Sequence, residues 1–135
     1  MPLTNVSLLK GSKSAERKAV ILAEIYQAMR ETFDVPEDDK FMMITEHAPE
    51  DFLFGRHYMD ISRSDDLIVI QLTVSDTRPV EKKKALFARI ADGLVREAGV
   101  RAEDIFINLV ETKMENWSFG NGIAHYADRA PVPQA

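Results

Sequence analysis

The chain predicts an α+β fold: duplicated β-α-β units forming a four-stranded sheet with two helices on one face. Three observations carry this expectation. The stretches Val35-Pro36-Glu37-Asp38-Asp39-Lys40-Phe41 and Val100-Arg101-Ala102-Glu103-Asp104-Ile105-Phe106 share a pattern at an offset of 65 residues. Apolar segments open at Leu3 and at Leu67, nearly the same distance apart. Each is followed by a stretch with helical apolar spacing and then by another strand-like run. Two such units joined through right-handed crossovers build one sheet and carry both helices on the same side.

The elements follow in order. Residues 3–9 partly alternate and place Thr4, Val6 and Leu8 on one face, as in a half-buried strand that Gly11-Ser12 ends. Over residues 14–33, Ala19, Leu22, Tyr26, Met29 and Phe33 recur at three- and four-residue steps. This predicts an amphipathic helix capped by Ser12 or Ser14. Val35-Pro36 stops it, because the residue before proline avoids the α region. Residues 41–47 form the second strand, and residues 48–66 a loop with a short hairpin around 57–61. Residues 67–74 are almost continuously apolar or β-branched, which predicts a strand covered on both faces. Asp76-Thr77-Arg78-Pro79 starts the second helix, with proline in the first turn and Glu81 near the positive helix end. Phe87, Ile90, Leu94 and Ala98 are its apolar stripe and Gly99 its stop. Residues 105–111 give the fourth strand, and from Trp117 the tail is irregular, ending in Pro131, Val132 and Pro133.

Composition narrows the function classes. A length of 135 residues with 45% hydrophobic content suits one domain with a single core, its halves spanning about 1–60 and 61–120. The formal charge of -5 is spread out and the basic run is limited to Lys82-Lys83-Lys84, so the footprint of a nucleic-acid binder is missing. Without cysteine, thiolate catalysis, disulfides and cysteine-ligated metals are excluded. No apolar run approaches the roughly 20 residues that span a bilayer, and the start carries no signal-peptide pattern, so a cytoplasmic protein without membrane contact is expected. His47, His57 and His125 lack metal-binding spacing and read as surface or turn residues, with His57 the best placed to approach a pocket. A strand apolar on both faces in a chain with no third layer predicts an obligate oligomer.

Chemistry points to the start of the chain. A methionine followed by a small residue is removable, which leaves Pro2 as a terminal secondary amine opening the first strand. Free α-amino groups titrate at roughly 7.7 to 8, and burial or nearby cations lower that value, so such an amine can act as a base near neutral pH. Arg78, at the entry to the second helix, offers a planar donor fork for a carboxylate. Arg63 is a weaker candidate, since Asp65 and Asp66 adjoin it as surface ion-pair partners. Asp39 reads equally as a turn residue, because Asp104 occupies the equivalent place in the second half.

Pro2 opening a strand, the duplicated unit, Arg78 followed by Glu81 and Lys83, and Asn116-Trp117-Ser118-Phe119-Gly120 together resemble the tautomerase superfamily. Within it, the chain is most similar to the malonate semialdehyde decarboxylase group, whose members carry Val-Pro-x-x-Asp-x-aromatic and an Asp/Asn-Trp-Ser-Phe-Gly tail. The similarity runs from residue 2 to about residue 126. It implies a tautomerase-like fold in a homotrimer, with Pro2 at the floor of a pocket bordered by a neighbouring chain and no cofactor or metal. It also implies that Pro2 is the catalytic acid or base, that Asp39 bonds beside it or positions water, that Arg78 binds the carboxylate of a small substrate, and that Trp117 and Phe119 form an apolar wall. The decarboxylase pattern has two arginines flanking one residue ahead of the helix, whereas Asp76 and Thr77 precede Arg78 here. One cation fewer leaves Pro2 more basic, so the expected order is keto-enol tautomerase, then decarboxylase, then hydratase of acrylate-like acids. The rival from another class is a non-catalytic ferredoxin-like binding module, which the same two halves could build.

Overall fold

The computed structural model describes residues 1–127, so the run at Pro131, Val132 and Pro133 lies outside the described residues. In β1 (Leu3–Leu9) the two-residue period sorts the side chains: Thr4, Val6 and Leu8 are buried and their neighbours half-buried. Together with β2 (Phe41–His47), β3 (Ile68–Ser75) and β4 (Ile105–Thr112) it forms a four-stranded sheet of order β2-β1-β3-β4. β1 runs parallel to β2 and β3 parallel to β4, and the two halves join where β1 and β3 pair antiparallel. This is the expected α+β architecture. No helix among the described residues is long and apolar enough to cross a membrane.

The helices α1 (Ala15–Phe33) and α2 (Val80–Ala98) pack on one face of the sheet. Ser14 is the cap of α1, its Oγ accepting from the Arg17 N–H at 3.1 Å. Pro79 occupies the cap position of α2 rather than its first turn. The core runs between Val6, Leu8, Ile70 and Leu72 of the sheet and Ile21, Ile25, Leu86 and Ile90 of the helices. Burying each such side chain contributes about 1.5–3 kcal/mol.

Three expectations are corrected. The buried stripe of α1 is Ile21, Ile25, Ala28, Met29 and Phe33, and Ala19, Leu22 and Tyr26 instead line a groove towards Lys40 and Met42. In α2, Leu86 faces the core while Phe87 is 36% exposed. Two adjacent stripes satisfy three- and four-residue spacing equally well, and packing against the sheet selects one. The hairpin around 57–61 does not form. Residues 48–66 hold two short turns, Pro49–Asp51 and Tyr58–Asp60, with Met59 and Asp60 at φ 64° and 58°. Arg63 replaces the missing ladder, donating through Nη1 to the carbonyls of Gly55, Tyr58 and Ile61 at 3.0–3.2 Å. Within the single chain the helices cover one face of β3, burying Ile68, Ile70, Leu72 and Val74, while Gln71 on the other face is exposed, the side expected to meet other subunits. The opposite sheet face leaves Phe41, Met43, Phe106 and Val110 38–49% exposed.

Candidate active site

The turn after α1 aims a carboxylate at the start of the chain. Asp34 leaves the helix in the left-handed region, Pro36 blocks another helical turn, and Asp38 takes φ 68°. The Asp39 N–H donates to the Pro36 carbonyl at 3.2 Å and the Lys40 N–H to the Asp38 carbonyl at 2.9 Å. Because Leu3 is in register with Phe41, the residues two places earlier, Met1 and Asp39, come side by side. The Met1 ammonium donates to Asp39 Oδ2, with Met1 fully buried and the Asp39 side chain 15% exposed.

Arg78 approaches the same end of β1 from the entry to α2. It is 8% exposed, so it is not a surface arginine. Nη1 donates to Ser75 Oγ at 2.9 Å, Nη2 to the Phe33 carbonyl at 3.2 Å, and the guanidinium carbon stands 4.7 Å from the Phe33 ring centroid. Burial, reinforced by the Arg78 charge, lowers the terminal amine from its ordinary 8.0 to about 5. The Asp39 carboxylate favours the charged amine and opposes that shift. Burial together with the cation prevails. Pro2 is buried next in line, and with Met1 attached its nitrogen is an amide.

The tail supplies an aromatic wall. Trp117 Nε1 donates to Thr112 Oγ1 at 2.8 Å, and the Trp117 and Phe119 rings stack at 5.7 Å with 9° between planes. Phe119 in turn meets Phe41 at 6.1 Å. Leu3, Phe41, Thr73, Thr112, Trp117 and Phe119 line a cavity of about 510 Å³. That volume lies within the range of small-molecule sites, roughly 300–1,000 Å³. A neighbouring hollow joins Asp39 to Phe41, Phe119 and Tyr126.

The structure therefore gathers Asp39 and Arg78 at the chain's first nitrogen, and sets Trp117 and Phe119 in a wall that shares Phe41 and Phe119 with the Asp39 hollow. Arg63 is spent on loop carbonyls. His57, expected nearest a pocket, is an exposed residue beginning the Tyr58–Asp60 turn. His125 stands there instead, accepting from the Phe119 N–H through Nδ1 at 3.1 Å, its ring 5.6 Å from that of Phe119. Gly120, Asn121 and Gly122, all at positive φ, fold the tail back to allow this contact. That Gly-Asn-Gly run was the readable signal for the reversal.

The second half repeats the cluster in closed form. At the same 65-residue offset, Asp104 matches Asp39, Arg78 matches Lys13 and Asp66 matches Met1. Asp104 accepts from the Ser64 N–H at 2.7 Å and hydroxyl at 2.6 Å. Buried Lys13 donates to the Asp66 carboxylate at 2.5 Å and its carbonyl at 3.0 Å.

Two family models, both described as tautomerase enzyme, match the chain, one over residues 39–120 and the other over residues 2–60. The chain is 40% identical to the "Probable tautomerase YusQ" of Bacillus subtilis (strain 168), covering 92% of this chain and 97% of that protein. It is similar to the solved structure of FG41 malonate semialdehyde decarboxylase inhibited by 3-bromopropiolate, with 30% identity, a TM-score of 0.85, and 92% and 93% of the two chains covered. A fused 4-OT symmetric trimer shares the fold at a TM-score of 0.75 and 20% identity, covering 94% of this chain and 99% of that one.

Proposed function

This chain belongs to the tautomerase family, and from that premise we propose that it is a cofactor-independent enzyme moving a proton on a small keto or enol carboxylic acid, with Pro2 as the proton carrier. The observation that supports this reading best is the buried terminal nitrogen held between one carboxylate and one guanidinium. Removal of Met1 makes Pro2 the terminal residue. It also takes away a fully buried side chain, so room for substrate opens beside Asp39 and Arg78.

In this reading Arg78 holds the substrate carboxylate through charge-assisted hydrogen bonds. The neutral Pro2 nitrogen takes the enol O–H proton, and the resulting ammonium returns a proton to carbon as the enolate becomes the ketone, leaving the amine as it began. Asp39 faces the transient ammonium and stabilises it. Trp117 and Phe119 exclude water from the enolate. A second reading, decarboxylation of a 3-oxo acid, is favoured by the likeness to the decarboxylase at 30% identity. There Pro2 is protonated and polarises the carbonyl while carbon dioxide leaves. The single arginine ahead of α2 weighs against it, and Asp39-assisted hydration of an acrylate-like acid ranks third.

The proposed working unit is a homotrimer. Its support is the open sheet face bearing Phe41, Met43, Phe106 and Val110, together with the trimeric fold neighbour.

The test is ketonisation of an arylpyruvate enol by protein whose first residue is verified by mass spectrometry. Pro2→Ala should lower kcat by about 100-fold or more. Full activity in protein that retains Met1, or an unchanged rate in the alanine variant, would falsify the reading. A rate that rises with pH on the acidic side identifies Pro2 as base, and one that falls as pH rises identifies it as acid.

A further inference from the structure

We propose that Tyr26 of α1 is a positioning residue for Asp39, setting the direction of the carboxylate through the backbone of the turn that carries it. This rests on the reading of Asp39 and the Pro2 nitrogen as the proton-transfer pair. The Tyr26 hydroxyl accepts a hydrogen bond from the Asp38 N–H at 2.8 Å, a contact between residues 12 apart in sequence. Asp38 has φ 68°, a region sparsely populated by residues with a side chain. Tyr26 thus fixes the Glu37–Asp38 peptide, from which the left-handed Asp38 directs the chain on to residue 39.

The rest of the turn is lightly held. Among the described residues its local backbone bonds are Asp39 N–H to the Pro36 carbonyl and Lys40 N–H to the Asp38 carbonyl, at 3.2 and 2.9 Å. Both lie within the turn, whose ties outward include the Val35 N–H to the Met29 carbonyl of α1 at 3.4 Å and the Asp39 carboxylate to the Met1 ammonium. Tyr26 adds an anchor from α1 in the middle of the turn, at the residue directly before Asp39. Its own ring is fixed by two cations, Lys40 Nζ at 4.7 Å and Arg30 at 5.9 Å from the centroid. Lys40 thus clamps the far side of the same turn onto the same ring. A helix residue with no place in the reaction in this way connects the rigid core to the carboxylate that meets the first nitrogen.

Tyr26→Phe is the selective test, because it deletes the acceptor and keeps the ring. Asp38 is exposed, so water can satisfy the freed N–H and the fold persists. Water cannot, however, fix the peptide's direction. Asp39 favours the charged amine, so loosening it lowers the Pro2 pKa. In Met1-free protein, NMR titration of ¹⁵N-labelled Pro2 should move to lower pH in Tyr26→Phe, by up to about one unit, in the direction of Asp39→Asn. The acidic limb of kcat should move with it, kcat should fall about three- to tenfold, and KM should change by less than about twofold. The double variant should titrate as Asp39→Asn alone does, because the tyrosine acts only through that carboxylate.

A lower melting temperature in Tyr26→Phe with Pro2 titrating as in the parent protein would make Tyr26 merely structural and overturn the proposal. So would additive shifts in the double variant. If Pro2 titrates as a free amine and Tyr26→Phe leaves it unmoved, the positioning role fails while the catalytic reading stands. If no titrating Pro2 amine is found in active protein, the catalytic reading itself fails.

Discussion

At the scale of single residues, the proposed chemistry reduces to how one amine is balanced between burial, a cation and a carboxylate. Arg78→Ala removes both the proposed carboxylate holder and the charge that depresses the amine. KM for an enol acid should rise roughly 10- to 100-fold, and the acidic limb of kcat/KM should move to higher pH as the amine regains basicity. A limb that stays put would detach Arg78 from the amine. Protein that keeps Met1 offers an independent check through stability. Its amine titrates at about 5 when folded and near 8.0 when unfolded, so between those values the unfolded chain binds more protons. Stability should therefore decline as pH drops from 8 towards 5 and level off above 8, and N-terminal acetylation should remove that component from calorimetric melts. Asp39 and Arg78 could be singled out from their motifs. Tyr26 could not, because a tyrosine at helical spacing reads as stripe, and its bond to Asp38 exists only once the turn is folded.

At the scale of elements, the tail is a clasp. Gly120 to Gly122 reverse the chain, His125 accepts from the Phe119 N–H, and Phe119 then braces Trp117 and Phe41. His125→Ala should leave the melting temperature nearly unchanged but release the wall. Since Trp117 is the sole tryptophan, its fluorescence should redden and become more open to acrylamide quenching, with KM rising severalfold. An emission spectrum identical to the parent's would show that the clasp does not depend on this bond. The elements also show what periodicity can and cannot decide. β1 and β2 were readable to the residue, because strand alternation and flanking turn residues coincide there. Helix existence and the Gly99 stop were readable too, but the buried stripe was not, as Leu22 and Tyr26 fit the same spacing as Ile21 and Ile25. The loop over residues 48–66 was readable but its internal order was not, because Arg63 gathers carbonyls where a hairpin was expected, a side-chain effect with no periodic trace.

At the scale of the whole molecule, the 65-residue echo made the two β-α-β units and their shared sheet legible, while the antiparallel β1–β3 seam between them emerged only in the structure. The apolar run of β3 and the lack of a third layer also pointed to a face reserved for a neighbour, but not to its residues, and the single chain leaves Phe41, Met43, Phe106 and Val110 exposed on it. Phe106→Asp, which puts a charge on that face, should convert the assembly to monomers in sedimentation experiments and abolish turnover with it. Unchanged sedimentation would remove this face from the interface. The paired clusters carry one last implication. Joining both halves in one polypeptide gives the molecule a beginning at just one of its two equivalent corners, and the lysine and aspartate that seal the other leave no reactive end there. Stoichiometry follows: titration with a tight inhibitor should count whole chains rather than halves, one turnover centre for each polypeptide however many copies assemble.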